Sequence, residues 1–233
     1  MGEATALGAT RLRACFLGRV AYATACELQE DLRRAVLDGR ADDTLLLLEH
    51  PPVLTAGRGT GDGSLRADAE TLARHGLEVV PVSRGGDVTW HGPGQLVGYP
   101  ICDLEAQARD LHRFLRGLEG GLRETLKRFG IESHRIEGRT GVWVGERKIA
   151  SIGIAVRRWV SYHGFALNVD PALGDFELIH PCGLRGVRMT SMRQLLGDAC
   201  PGLDDVRAVV AADVALALGY EGILGSLWAG AAA

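Results

Sequence analysis

Two residues of this chain stand out for the chemistry they carry. Cys182 lies in Ile179-His180-Pro181-Cys182-Gly183-Leu184, where proline before and glycine after set an exposed bend rather than a strand interior. A free thiol is more often a small hydrophobe than a nucleophile, and residue type alone leaves both readings of Cys182 open. Lys148 is marked by scarcity. Of 26 basic residues only Lys127 and Lys148 are lysine, and the rest are arginine. A lysine is a compact charge that can lose its proton, which arginine's permanently charged fork cannot do. A thiol of pKa about 8.5 is mostly protonated at neutral pH. An ammonium within roughly 4 Å would favour its thiolate and so make a nucleophile.

A third feature is a long glycine-rich connection from Arg84 to Tyr99, with strand-like residues leading in (Leu77 to Val82) and out (Leu96 to Ile101). Its glycines allow sharp turns and close approach to a ligand, while Arg84, Thr89, His91 and Gln95 supply hydrogen-bonding groups. A hairpin needs only a short turn of Asn-Gly type, so this stretch reads as one wall of a small-molecule site. It is neither a dinucleotide fingerprint nor a phosphate loop, because the glycine spacing is wrong and no Gly-Lys-Ser/Thr occurs.

The run Arg84-Gly-Gly-x-x-Thr-Trp-His-x-Pro-Gly-Gln-x-x-x-Tyr99 resembles the signature of the lipoate-biosynthesis octanoyltransferases. Three further segments resemble the same family in the same order. They are Lys148-Ile-Ala-x-Ile-Gly153, Gly164-Phe-Ala-Leu-Asn168 and Pro181-Cys182-Gly183. An earlier stretch, Glu49-His-x-x-x-x-Thr-x-Gly-Arg58, matches as well, so the likeness runs from about Leu45 to Leu196. His180, before Pro181, departs from the residue often found there.

The resemblance implies an α+β fold, a mixed or antiparallel sheet sandwich with flanking helices, shared with biotin and lipoate protein ligase catalytic domains. It implies Cys182 and Lys148 as the catalytic pair. Substrate would be lined by Arg84, Gly85, Gly86, Asp87, Val88, Thr89, Trp90 and His91. Ser151, Ile152 and Gly153 with Gly164, Phe165 and Ala166 would complete that lining, and Thr89, Gln95 and Asn168 are polar groups able to orient the substrate. The implied donor is octanoyl-acyl carrier protein. The implied acceptors are lipoyl domains of 2-oxoacid dehydrogenase E2 subunits and of the glycine cleavage H protein. No cofactor is called for. The competing readings are an ATP-dependent ligase of the same fold, a cysteine hydrolase using Cys182 with His91 or His163, and a non-catalytic carrier-binding module.

The elements that must position these residues are ordinary for a soluble chain of 233 residues, 46% hydrophobic and 24% charged. One catalytic domain over residues 1–233, with 1–10 as a flexible tail, is the expectation, as a monomer. No apolar run approaches the roughly 18 residues of a membrane span, and no signal peptide opens the chain, so the cytoplasm is expected. Five scattered cysteines without Cys-x-x-Cys argue against a disulfide framework or a zinc site, and a net charge of −3 gives no reason to expect nucleic acid.

Apolar spacing predicts helices over Tyr22 to Leu37, Ala67 to His75, Asp110 to Phe129 and Asp204 to Leu218, with a short one capped by Thr190 or Ser191. The third is the clearest, with a stripe of Leu111, Leu115, Leu118, Leu122, Leu126 and Phe129. Strands are predicted at Arg11 to Val20, Thr44 to Leu48, Ser133 to Ile136, Gly141 to Val144, Arg147 to Val156 and Val160 to Val169. Residues 49–63 read as a loop, Asp170 to Gly174 as a turn and Phe176 to Leu184 as irregular. Arg157-Arg158 lies between two strands, either a solvated turn or a contact for an acidic carrier.

Overall fold

The computed structural model describes residues 11–105, 109–180 and 186–224. The chain opens with β1 (Arg11–Arg19), α1 (Tyr22–Leu37) and β2 (Thr44–Glu49), followed by β3 (Val53–Ala56), α2 (Ala69–Arg74) and β4 (Val79–Pro81). Next come β5 (Thr89–His91), β6 (Gln95–Ile101), α3 (Leu111–Arg128), β7 (His134–Ile136), β8 (Arg139–Val144), β9 (Arg147–Arg157) and β10 (Val160–Asn168). A 3-10 helix over Leu173–Leu178 spans the end of the expected turn and the start of the irregular stretch, and β11 (Arg188–Met189), α4 (Met192–Leu196), α5 (Leu203–Ala217) and β12 (Gly222–Leu224) follow. Among the described residues no helix is long and apolar enough to cross a membrane.

The main sheet runs β12-β1-β2-β6-β10-β9-β8-β7, with β11 added beside β9. Pairing is parallel at the β12-β1-β2 end and at β9-β11, and antiparallel from β2 through to β7. A second sheet of order β4-β3-β5 stands apart from it. The architecture is therefore the mixed α+β arrangement expected.

Alternation along the strands divides the apolar residues between two faces. Leu45, Leu47, Leu96, Phe165, Leu167, Ile152 and Ile154 join Phe114, Leu118, Leu122 and Leu126 of α3 and Val206, Val210 and Val214 of α5 in the larger core. Leu46, Leu48, Val97, Tyr99, Val160 and Ala166 face the other way and pack with Ala25 and Val36 of α1. A third cluster, built around Leu54, Val88, Trp90, Phe176 and Ile179, belongs to the small sheet.

Two expectations need correction. Residues 49–63 are not all loop, because Val53, Leu54 and Thr55 are buried in β3 between β4 and β5. The pair Pro51-Pro52 ends β2, and strand resumes immediately after it. The buried stripe of α3 keeps the expected Leu118, Leu122 and Leu126 but differs at its edges. Leu111 is 38% exposed, while Phe114, Gly121 and Thr125 are covered. The cause is α5, which packs so close that a Cβ on Gly121 would stand 2.7 Å from the Val214 Cα. These glycines weaken the helix alone and permit the helix pair. Buried charges on the two helices are paired. Glu119 binds Arg116 at 2.5 Å and Arg135 at 2.9 Å, and Asp213 binds Arg128 at 3.0 Å.

Candidate active site

The glycine-rich connection folds back on the main sheet where β9 and β10 have little side chain to offer. Gly153 and Gly164 are paired across those strands. The Gly85 amide donates to the Ile154 carbonyl at 2.9 Å, and a Cβ on Gly153 would stand 2.7 Å from the Gly85 oxygen. Residues 57–59 brace the loop from outside, with Arg58 N donating to Arg84 O at 3.0 Å and Gly59 N to Gly86 O at 2.9 Å.

Arg84 is the tie between loop and small sheet. Its guanidinium donates to the Thr55 carbonyl at 2.6 Å, to Thr55 Oγ1 at 2.8 Å and to the Asp87 carbonyl at 2.7 Å. The planar fork suits several acceptors held at fixed angles. Asp87 in turn accepts from Ser64 Oγ at 2.8 Å. Arg84 and Asp87 thus build the wall of the cavity beneath.

That cavity lies between the loop and the sheet. Its loop side is formed by Arg84, Gly85, Gly86, Asp87, Thr89 and His91. Ser151, Ile152 and Gly153 of β9, with Gly164, Phe165 and Ala166 of β10, form the sheet side. Twelve of the fourteen residues expected to line a substrate site therefore gather around one space. Val88 and Trp90 do not line it. Strand alternation turns both into the small core, where the Trp90 ring meets Phe176 edge-on at 5.3 Å. Tyr22, Tyr99 and His163 complete the wall. Tyr99 closes the glycine-rich signature, whereas Tyr22 carried no sequence signal for this role, since it reads as an ordinary aromatic of α1.

Three polar atoms at the cavity, Thr89 Oγ1, Ser151 Oγ and His163 Nδ1, are buried without a hydrogen-bond partner among the described residues. Gln95 and Asn168, expected to orient substrate, are instead sealed away from it. His91 Nδ1 donates to Gln95 Oε1 at 2.7 Å, Gln95 Nε2 donates to Asn168 Oδ1 at 3.0 Å, and Asn168 Nδ2 donates to the Thr190 carbonyl at 3.0 Å. This fixes His91 as the Nδ1–H tautomer, with its Nε2 lone pair facing the Thr55 hydroxyl at 3.5 Å. Burial and the neighbouring His50 push the His91 pKa well below 6.5. Burial also lowers His50 and His163, each to about 4. His50 Nδ1 donates to the Val20 carbonyl, and its Nε2 accepts from the Tyr99 hydroxyl, both at 2.7 Å. Beside Arg84 and Asp87, the cavity is thus ringed by neutral imidazoles, small residues and phenols.

Lys148 is buried, contrary to the ordinary expectation for a strand-end lysine. The reason is a bulge in β9. Val142 pairs with Ala150 but Trp143 pairs with Lys148, so Ile149 is an extra residue. Regular alternation would put Lys148 on the face of Ala150 and Ile152. The bulge returns it to the face of Ser151 and Gly153, with Nζ 5.4 Å from the centre of the Trp143 ring. Lys127, by contrast, is exposed on α3.

Cys182 lies outside the described residues. The chain on either side of it is anchored. Ile179 bridges to Leu65 and His180 N donates to Ser64 O at 2.8 Å. After it, Met189 pairs with Lys148 and Thr190 N donates to Lys148 O at 2.9 Å.

Known proteins share the sequence and the fold of this chain. Residues 21–215 match the lipoyl protein ligase A/B catalytic domain. An octanoyltransferase of Geobacter sulfurreducens is 49% identical over 199 residues, covering 85% of this chain and 81% of that protein. Among solved structures, a lipoate-protein ligase A bound with ATP superposes with a TM-score of 0.71 at 16% identity, covering 93% of this chain and 89% of that one. A biotin protein ligase from Aquifex aeolicus shares the fold at a TM-score of 0.52 and 12% identity, covering 88% of this chain and 68% of that one. With a family match across nearly all of the described fold and a close curated relative besides, the chain belongs to the lipoyl protein ligase A/B catalytic domain family.

Proposed function

We propose that the chain is an octanoyltransferase of lipoate biosynthesis that works through a covalent thioester on Cys182. The observation that carries this is the pairing of β11, the strand the Cys182 segment leads into, with Lys148, itself turned to the cavity face by the bulge in β9.

The Cys182 thiolate, favoured by the Lys148 ammonium, adds to the carbonyl carbon of octanoyl-acyl carrier protein. The carbon–sulfur bond to the carrier breaks, and the carrier thiolate leaves with a proton from Lys148. The amine of a lipoyl-domain lysine then attacks the octanoyl-Cys182 thioester. An amide bond forms, the bond to Cys182 breaks, and neutral Lys148 takes the amine's proton, restoring the ion pair. Thioester exchange is nearly isoenergetic and amide formation from it is downhill, so ATP is not required. The acceptors are lipoyl domains of 2-oxoacid dehydrogenases and the glycine cleavage H protein, and the reaction belongs to the cytoplasm, with the whole chain acting as one catalytic domain.

Intact-protein mass tests this. Octanoyl-acyl carrier protein without ATP adds one octanoyl group to the native chain and none to Cys182→Ala, and the group then moves to a lipoyl-domain lysine. Modification only with free octanoate and ATP would assign the chain to the ligase reading instead.

A further inference from the structure

We propose that the imidazole of His163 is the stop that sets acyl-chain length, closing the cavity at the end away from Lys148. The proposal rests on the octanoyl-transfer reading for the identity of the chain that is measured.

Register along β9 supplies the scale. Ser151, Gly153 and the partner of His163, Ile154, follow Lys148 in order. From Ser151 to Ile154 the strand rises about 10 Å at roughly 3.3 Å per residue. An extended eight-carbon chain built from bonds of about 1.5 Å measures about 9 Å. An acyl carbonyl held at the level of Ser151, the first cavity residue after Lys148 on β9, therefore sends its methyl end towards His163.

His163 is a wall with space on both sides. It lines the acyl cavity and also a second hollow formed with Cys26, Gln29, Ser83 and Tyr162. The ring stands 6.3 Å from that of Tyr99 in the first space and 5.0 Å from that of Tyr162 in the second. Its backbone is held in the left-handed region at φ 57°, which non-glycine residues occupy at a cost. The Gln29 side chain clamps it there by accepting from the His163 amide at 2.8 Å. Nε2 lies 3.4 Å from Ser83 Oγ, and Nδ1 has no partner among the described residues. The conformation is thus imposed by the surroundings, and what it achieves is a ring placed between two spaces.

The test is a chain-length profile. His163→Gly adopts the positive φ without strain and removes the ring, joining the two spaces. His163→Asn tolerates the same φ and leaves a smaller plug. Native chain and variants are mixed with octanoyl-, decanoyl- and dodecanoyl-acyl carrier protein, and acylation is followed by intact mass. The expected dodecanoyl-to-octanoyl ratio rises about tenfold or more in His163→Gly, with His163→Asn between it and the native chain. A folded His163→Gly with an unchanged ratio overturns the proposal. If the native chain takes no acyl group from any thioester, the transfer reading fails separately. The same ratio, read from free acids with ATP on a lipoyl-domain lysine, then decides the role of His163.

Discussion

Lys148 stands directly opposite Trp143 across the β8–β9 hairpin, its Nζ 5.4 Å from the centre of the indole ring. That relationship depends on one extra residue in β9, Ile149, and on the absence of a side chain at Gly141. Gly141 has φ 129°, and a Cβ there would lie 2.5 Å from Lys148 Cε and 2.6 Å from the Ala150 carbonyl oxygen. The lysine stem occupies the space a side chain would need.

Gly141→Ala should therefore displace Lys148 as well as strain the backbone. A stability loss of about 1–3 kcal/mol is expected from overpacking and the unfavourable φ. Octanoyl transfer should fall further than that loss explains, about a hundredfold or more, if Lys148 transfers protons as proposed, because that group is moved out of place. Lys148→Arg should fail equally, since the guanidinium is larger and cannot give up its proton. Single-turnover acylation measured beside urea melts checks both. Near-native turnover in Lys148→Arg would rule out proton transfer at this position.

The glycines of α3 give a prediction in which helix propensity and packing oppose each other. At Gly121 an added Cβ meets Val214 Cα at 2.7 Å and the Asp213 carbonyl at 3.0 Å, and neither backbone atom can yield. At Gly120 the nearest atoms are an Arg135 nitrogen at 3.5 Å and Ala217 Cβ at 4.0 Å. Gly120→Ala should stabilise by about 0.5–1 kcal/mol, the propensity gain, whereas Gly121→Ala should destabilise by about 1–3 kcal/mol despite the same gain. Urea midpoints decide it, and equal shifts of the same sign would show that α5 does not bear on α3 as described.

Much of this was legible from residue types. The bounds of α1, the strands flanking the glycine-rich connection and the Ser191 cap follow from local periodicity and capping, which act within a few residues. The β3, β5, β11 and β12 strands escaped because each is four residues or fewer and exists only through its partners. The bulge at Ile149 left no trace in a sequence whose apolar run, Ile149-Ala150-Ser151-Ile152, suits either register. Likewise, polarity placed Gln95 and Asn168 at the substrate, and only packing shows them behind the wall.

Three buried neutral histidines make stability depend on pH. His50 and His163 have pKa values of about 4 in the folded chain against about 6.5 unfolded. Between those values the unfolded chain binds protons that the folded chain refuses. Stability is therefore complete above about pH 6.5 and is lost as pH falls toward 4. At pH 5 each histidine removes up to about 2 kcal/mol, and His91, shifted in the same direction by burial, adds to this. The urea midpoint should be flat from pH 7 to 8.5 and fall steadily below 6.5, with a shallower slope in His163→Asn. A midpoint constant down to pH 5 would mean that the imidazoles are not protected from protonation.

The chain from His91 through Gln95 and Asn168 to Thr190 links the cavity wall to the strand beside Lys148. Removing one member leaves a buried donor or acceptor unmatched, costing about 1–3 kcal/mol. Asn168→Ala strands the Thr190 carbonyl and one Gln95 donor, so it should loosen β11 and free the His91 ring to change tautomer. Gln95→Glu keeps the acceptor for His91 Nδ1–H but loses the donor to Asn168. It should hold the imidazole while releasing β11. The two variants thereby separate the functions of one network. If β11 positions the Cys182 segment, both should slow acylation, with octanoyl-carrier KM nearly unchanged because neither residue touches the cavity. If the His91 tautomer matters instead, Asn168→Ala alone should slow it, and the pH profile of acylation should shift only in that variant. Equal activity of both with the native chain would leave the network a purely structural device.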